Sequence, residues 1–214
     1  MGRDNVVDSR AKPLLIFPRN GNGIEALDCL GNAYKCVGFI DDTPNKQGVV
    51  YGYSVCGREA LEERPDAHVL AVPGSALSYQ SRAQIIFDLG IDDRRYATVI
   101  HPAARISPHA VIGYNVLIMA GVVITSNAVI GNHVCILPNT VIHHDVSIGA
   151  WTLLGSNVTI AGNTIVGENC YIGSGSSIMN GLQVGNRTLV GLGSNVIRSI
   201  VAGSKVVGNP AREI

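Results

Sequence analysis

The stretch Ile106–Gly149, ISPHAVIGYNVLIMAGVVITSNAVIGNHVCILPNTVIHHDVSIG, carries an isoleucine at every sixth residue. The series runs on unbroken through Leu154, Ile160, Val166, Ile172, Ile178, Val184 and Val190 to Val196, sixteen aliphatics in phase. A short period sustained this long is a repeat architecture and decides the fold before any local reading. Period six fits neither a helix nor a single strand. It fits a coil of three flat strands, one six-residue rung per face. Two residues before each aliphatic lies a second inward position, because alternate residues of a strand face the same side. It holds Val116, Val122, Ala128, Val134, Thr140, Thr152, Cys170 and Ser176 among others, mostly small or β-branched, as a narrow interior requires. Glycine often follows the aliphatic, as at Gly113, Gly131, Gly149 and Gly167. The expected reason is a corner with unusual backbone angles. The product is a triangular parallel β-helix of about five coils, roughly 24 Å tall at the inter-strand spacing.

Composition bounds the partners. The 214 residues carry 16 basic and 16 acidic side chains, so nothing points to nucleic acid or an anionic membrane. Trp151 is the only tryptophan. The five cysteines form no close-spaced metal motif, and their scatter suits reduced thiols in a cytoplasm. Cys135 and Cys170 fall inside the repeat and read as small core residues. The opening MGRDNVVDSRAK has no apolar core of a leader, and no run is long enough to span a bilayer.

Residues 1–100 lack the period and alternate strand with helix, which implies a small Rossmann-like parallel sheet. Strands are expected at Pro13–Phe17, Tyr34–Ile40, around Gly52, at His68–Val72 and at Tyr96–Ile100. Helices are expected at Gly23–Leu30, with Ile24, Leu27 and Leu30 on one face, and at Arg58–Arg64 and Ser78–Leu89. The chain therefore divides into an α/β domain, 1–100, and a β-helix domain, 101–214. In such sheets ligands bind beyond the carboxyl ends of the strands. Those ends carry Pro18–Gly23 (PRNGNG), Asp41–Asp42 and Pro73–Gly74. Glycines in the first turn suit a phosphate or merely a tight turn, and Asp41 suits a ribose hydroxyl or merely its own turn.

Of six histidines, His68 reads as structural, while His109 and His133 take outward positions and read as solvated. His143-His144-Asp145 follows Ile142 directly. A histidine beside a carboxylate is the smallest general-base unit, and imidazole titrates near neutrality. The alternative is a solvated corner. No two histidines stand five apart, so a His-x4-His metal pair is absent and no metal is expected.

GFIDD (Gly38–Asp42), VIHPAARISPHAVIG (Val99–Gly113), NTVIHHDVSIG (Asn139–Gly149) and VVGNPAREI (Val206–Ile214) carry a resemblance. With the repeat, they make the whole chain resemble the bacterial nucleotide-amino-sugar N-acetyltransferases. These group with sialic acid O-acetyltransferases in the hexapeptide-repeat acyltransferase superfamily. The resemblance implies a left-handed coil and acetyl-CoA as co-substrate without a metal. It also implies a homotrimer acting on a nucleotide sugar in the cytoplasm, in surface glycan synthesis. His144 matches the family's base and Asp145 its orienting acid. The acetyl-CoA groove matches stretches at Gly162, Ser174 and Gly191, with Gly208, Asn209 and Pro210 near the CoA tail. The nucleotide site matches Gly21, Asn22, Gly23, Asp41, Asp42 and Gly74. Two departures concern the acceptor. The family's Gly-x-x-Gly-His-Gly becomes Pro18–Gly23 without its first glycine and its histidine, and a second histidine found in some members is Leu153. An amine acceptor, a 4-amino-4,6-dideoxy hexose, is expected first, a sugar hydroxyl such as that of sialic acid second, and a trimeric scaffold without turnover third.

Overall fold

The computed structural model describes residues 11–214, so the reading of a missing leader lies almost wholly outside it. The α/β part is a five-stranded sheet of order β3-β4-β2-β1-β5. Its strands are β1 (Lys12–Phe17), β2 (Tyr34–Ile40), β3 (Gly48–Val50), β4 (Tyr53–Cys56) and β5 (His68–Ala71). β1 pairs in parallel with β2 and β5, β2 pairs in parallel with β4, and β3 returns antiparallel around Gly52. The core stretches LLIF of β1 and VLA of β5 are buried, as a sheet covered on two faces requires.

The helices are shorter than the sequence suggests: α1 (Gly21–Glu25), α2 (Ala60–Glu63) and α3 (Arg82–Phe87), with 3-10 turns at Ala26–Cys29 and Tyr79–Ser81. The first also turns a different face inward. Gly23, Ala26 and Cys29 are buried, while Ile24, Leu27 and Leu30 are only half-buried. Spacing by three is the 3-10 period. Small residues face the sheet because a Cβ at Gly23 would collide with the Pro18 carbonyl.

From Val99 to Val196 the chain coils into a prism of parallel two-residue strands, closed by the longer strand Lys205–Gly208 and the antiparallel Ala211–Glu213. One face holds eight strands from Val99–Ile100 to Ala211–Glu213, the second six from Arg105–Ile106 to Asn195–Val196, and the third five from Val111–Ile112 to Gln183–Val184. Partners lie 18 residues apart, as in Val123 with Val141 and Ile124 with Ile142. Both inward positions fill one core from Val116 to Val206. The inward hydroxyls are buried but bonded: Thr140, Thr152 and Ser176 each donate to a carbonyl fifteen residues on, at Gly155, Gly167 and Gly191. This satisfies the rule that buried polar groups be paired.

The glycine expectation needs correction. Left-handed backbone falls not at the residue after the aliphatic but at the third, as at Asn115, Asn127, Asn139, Asp145, Asn157, Asn163 and Gly175. Asparagine, aspartate and glycine tolerate that conformation best. The glycines after the aliphatics answer a different need. A Cβ at Gly149 would lie 2.5 Å from the Glu168 nitrogen of the next coil. They are glycine so that successive coils can stack.

The α/β part lies on the first face. Leu14, Ile16, Cys29 and Phe39 share a core with Leu117, Met119, Cys135 and Leu153. Burial pushes the Cys29 and Cys135 thiols up to about 11 and about 12, so they pack as apolar groups. All five cysteines are unpaired. Among the described residues no helix is long and apolar enough to cross a membrane.

Candidate active site

His144 and Asp145 occupy the corner between the second and third faces, the vertex opposite the face that the α/β part covers. Asp145 sits in the left-handed region at φ 59°, which turns its carboxylate back alongside the preceding side chain. Its Oδ2 lies 2.7 Å from His144 Nδ1. Hydrogen bonds, first from His144 and then from Asn127, hold the Asp145 carboxyl below its ordinary value, so it is an anion that only accepts. The bond therefore requires a proton on Nδ1 and leaves the Nε2 lone pair of the neutral ring free. Among the described residues His143, its neighbour, makes no such contact with a carboxylate. Both side chains of the His144–Asp145 pair are exposed.

Gly162 stands one coil above His144. A Cβ there would lie 2.6 Å from His144 Nε2 and Cε1. Its own N–H donates to no protein acceptor among the described residues, whereas the next residue, Asn163, donates to the His144 carbonyl. The corner thus offers a free lone pair beside a free amide. Gly162→Ala is expected to displace the ring and to lower kcat about a hundredfold while the melting temperature moves by only a few degrees. Steady-state rates with thermal melts check this.

The remaining cofactor candidates collect at another corner. Ser174 and Gly191 follow strands of the first face, at its boundary with the second. Ser174 Oγ accepts from Ser156 N. The closing hairpin brings Gly208 to the same place, with its N–H on Ser194 Oγ, and a Cβ at Gly191 would meet Val207. Asn209 and Pro210 form the tip of that hairpin. The two corners border one shared face, so Gly162 and the Ser174–Gly191–Pro210 group flank the second face from opposite edges.

The candidate nucleotide residues sit at the carboxyl ends of β1, β2 and β5, on the α/β part. Asn20 caps α1 by accepting from Gly23 N, and ties the turn to β5 by donating to the Val72 carbonyl. Gly21 has open space above it and Asn22 is half-exposed. Asp41 is buried, and its carboxylate binds Thr43 N and Lys46 Nζ, which hold it below its ordinary value despite burial. Asp42 is engaged by Arg58. Both carboxylates therefore shape their own loop. Gly74 is glycine because a Cβ would lie 2.8 Å from Arg82 Cγ.

Sequence reasoning missed the third-to-first corner, where the α/β part is anchored. His133 is only 5% exposed, contrary to the solvated position expected for it. It stacks on Trp151 and takes a hydrogen bond on Nδ1 from Asn115, whose amide also pairs with both backbone groups of Ala71. Arg82 is fully buried, has no carboxylate partner among the described residues, and donates to the carbonyls of Pro73, Trp151 and His133. Burial pulls the guanidinium down to about 10, still charged at neutral pH. Burial and then Arg82 depress His133 to about 4, with Asp93 opposing weakly. A group depressed when folded contributes stability above its unfolded value near 6.5 and loses it as pH falls through 4. The melting temperature is expected to fall between pH 6.5 and 4, and His133→Gln to flatten that fall. The readable signal was His133, Trp151 and Arg187 at corner positions that elsewhere hold mostly asparagine or glycine.

Among the described residues no three His, Cys, Asp or Glu side chains converge as a metal site would need. Residues 127–162, which include the His144 corner, match the family model "Bacterial transferase hexapeptide (six repeats)". No curated protein sequence matches the chain. Solved structures do. The acetyltransferase domain of PglB from Neisseria gonorrhoeae is 28% identical over 95% of this chain and 100% of that one, with a TM-score of 0.83. A further structure of that domain is a complex with acetyl coenzyme A, at 26% identity over 95% of this chain and 100% of that one, TM-score 0.83. PerB from Caulobacter crescentus, in complex with CoA and GDP-perosamine, is 27% identical over 95% of this chain and 97% of that one, with a TM-score of 0.80. In repeat, prism and overall structure the chain is thus similar to hexapeptide-repeat acetyltransferases.

Proposed function

We propose that this enzyme moves the acetyl group of acetyl-CoA directly onto the amino group of a nucleotide-linked amino sugar, a 4-amino-4,6-dideoxy hexose on a nucleoside diphosphate. The observation that carries the reading is the His144 corner, where an Asp145-held ring presents its free Nε2 beside the free amide of Gly162. The acceptor nitrogen attacks the thioester carbonyl while Nε2 takes its proton. The Gly162 N–H supports the oxygen that becomes negative. Collapse expels the CoA sulfur, which regains a proton from the imidazolium, so no acyl-enzyme forms. The acyl donor lies along the second face, reaching from Gly162 to Ser174, Gly191 and the Gly208–Pro210 hairpin. That PerB holds CoA and GDP-perosamine together supports this pairing of substrates.

The sugar nucleotide sits over Gly21, Asn22 and Gly23 of the α/β part, inside the loops shaped by Asp41, Asp42 and Gly74. That part covers the face opposite its own His144, so the two half-sites of one chain cannot meet. Acceptor and base are supplied by neighbouring copies of a homotrimer. Outward Val111, Val129 and Ile165 on the third face, each more than two-fifths exposed, support burial against another copy. The enzyme works in the cytoplasm, in synthesis of a surface glycan.

The test is thiol release from acetyl-CoA across UDP-, dTDP- and GDP-linked 4-amino-4,6-dideoxy hexoses, GDP-perosamine first. Turnover with one of them is expected. Silence on all, with turnover on a hydroxyl acceptor such as sialic acid, replaces the amine by a hydroxyl. Silence on every acceptor leaves a scaffold.

A further inference from the structure

Asn127 lies one coil below Asp145, 18 residues earlier, at the same corner and in the same left-handed conformation, φ 62° against 59°. Its Nδ2 is 3.0 Å from Asp145 Oδ1, while the other carboxylate oxygen, Oδ2, is 2.7 Å from His144 Nδ1. The carboxylate only accepts, so the amide orientation of Asn127 is set: its NH2 must face Asp145. The backbone fixes the spacing, because Asp145 N donates to the Ser126 carbonyl and Asn163 N to the His144 carbonyl. Asp145 is 44% exposed at the side chain, and an exposed carboxylate with one partner is free to rotate. Two donors arriving from different coils, one on each oxygen, remove that freedom. The reach of a coil is what makes this arrangement possible, since each corner position recurs directly above itself.

We infer that Asn127 is a positioning residue for the proposed transfer: it pins the Asp145 carboxylate so that His144 keeps its proton on Nδ1 and its lone pair on Nε2. Free imidazole prefers the opposite tautomer, with the proton on the nitrogen that must act as base. The energy of one exposed hydrogen bond is modest, about 1 kcal/mol. That is enough to move a tautomer ratio about fivefold, which is the quantity at stake. Asn127 itself touches neither substrate nor the reacting atoms, and its effect passes through Asp145. The inference rests on the acetyltransferase reading above.

The test uses Asn127→Gly, which keeps a residue that favours positive φ and removes only the amide, and Asn127→Asp, which keeps the shape and removes the donor. Nitrogen-detected NMR of histidine-labelled enzyme without substrate, with His144 assigned by comparison with His144→Ala, reads the tautomer. Wild type is expected in the Nδ1–H form, and both variants are expected to shift toward Nε2–H. Acetyl transfer is expected to fall by up to about fivefold in kcat, with KM for acetyl-CoA unchanged and the melting temperature retained. A wild-type tautomer ratio in both Asn127 variants overturns the inference, whatever the catalytic result. An active His144→Ala enzyme instead overturns the acetyltransferase mechanism, and the two failures are told apart because the NMR reading needs no turnover.

Discussion

Replacing His144 by Ala is expected to lower kcat for acetyl transfer about a thousandfold, with KM for acetyl-CoA nearly unchanged. The ring is exposed and borders the prism rather than filling it, so its loss leaves the core from Val116 to Val206 intact. The melting temperature therefore stays within a few degrees of wild type. What disappears is the ring whose Nε2 lies beside Gly162. His143 offers no replacement, because among the described residues no carboxylate sets its tautomer. A His143→Ala control is expected to retain most activity. Near-normal turnover by His144→Ala would remove the general base from the mechanism and with it the assignment of Asp145 and Asn127.

Arg82→Met is expected to give the largest loss of stability, about 3 kcal/mol, or about 10 °C in melting temperature. The side chain is fully buried and bonds three carbonyls from two parts of the molecule: Pro73 before the Gly74 turn, and His133 and Trp151 on successive coils. Methionine removes a desolvated charge, which is favourable, but strands three buried acceptors at about 1–3 kcal/mol each, and the second effect is larger. Lysine keeps the charge without the planar fork, so Arg82→Lys is expected to recover only part of the loss. Urea unfolding of the full chain measures both. The variant should also loosen the Pro73–Gly74 turn against the prism and raise KM for the sugar nucleotide more than for acetyl-CoA. An Arg82→Met protein as stable as wild type would mean that the buried guanidinium is not the anchor between the two parts.

The prism was legible because its determinants are periodic. An aliphatic every six residues can face inward only if three rungs close one coil, and that also sets the contacts at 18 residues. His144 and Asp145 were legible because they adjoin in the chain. Asn127 and Gly162 are one coil from Asp145 and His144, 145 − 127 and 162 − 144 both being 18, so the same ruler reaches them once the coil is known. The glycine reading failed because spacing cannot tell a residue chosen for its backbone angles from one chosen to let the next coil approach. The first helix failed for a related reason. Apolar residues at Ile24, Leu27 and Leu30 suggest one buried face, but the sheet approaches too closely for them, and Gly23, Ala26 and Cys29 turn inward instead.

By itself, then, the chain's sequence determined the coil and its inward residues and set His144 beside Asp145, because each follows from local or periodic spacing. Only the tertiary structure decided which corner anchors the α/β part, that Arg82 and His133 are buried there, and that His144 stands at the vertex facing away from it. Those facts depend on two unrelated segments meeting face to face, and no repeat within either segment records the orientation in which they dock.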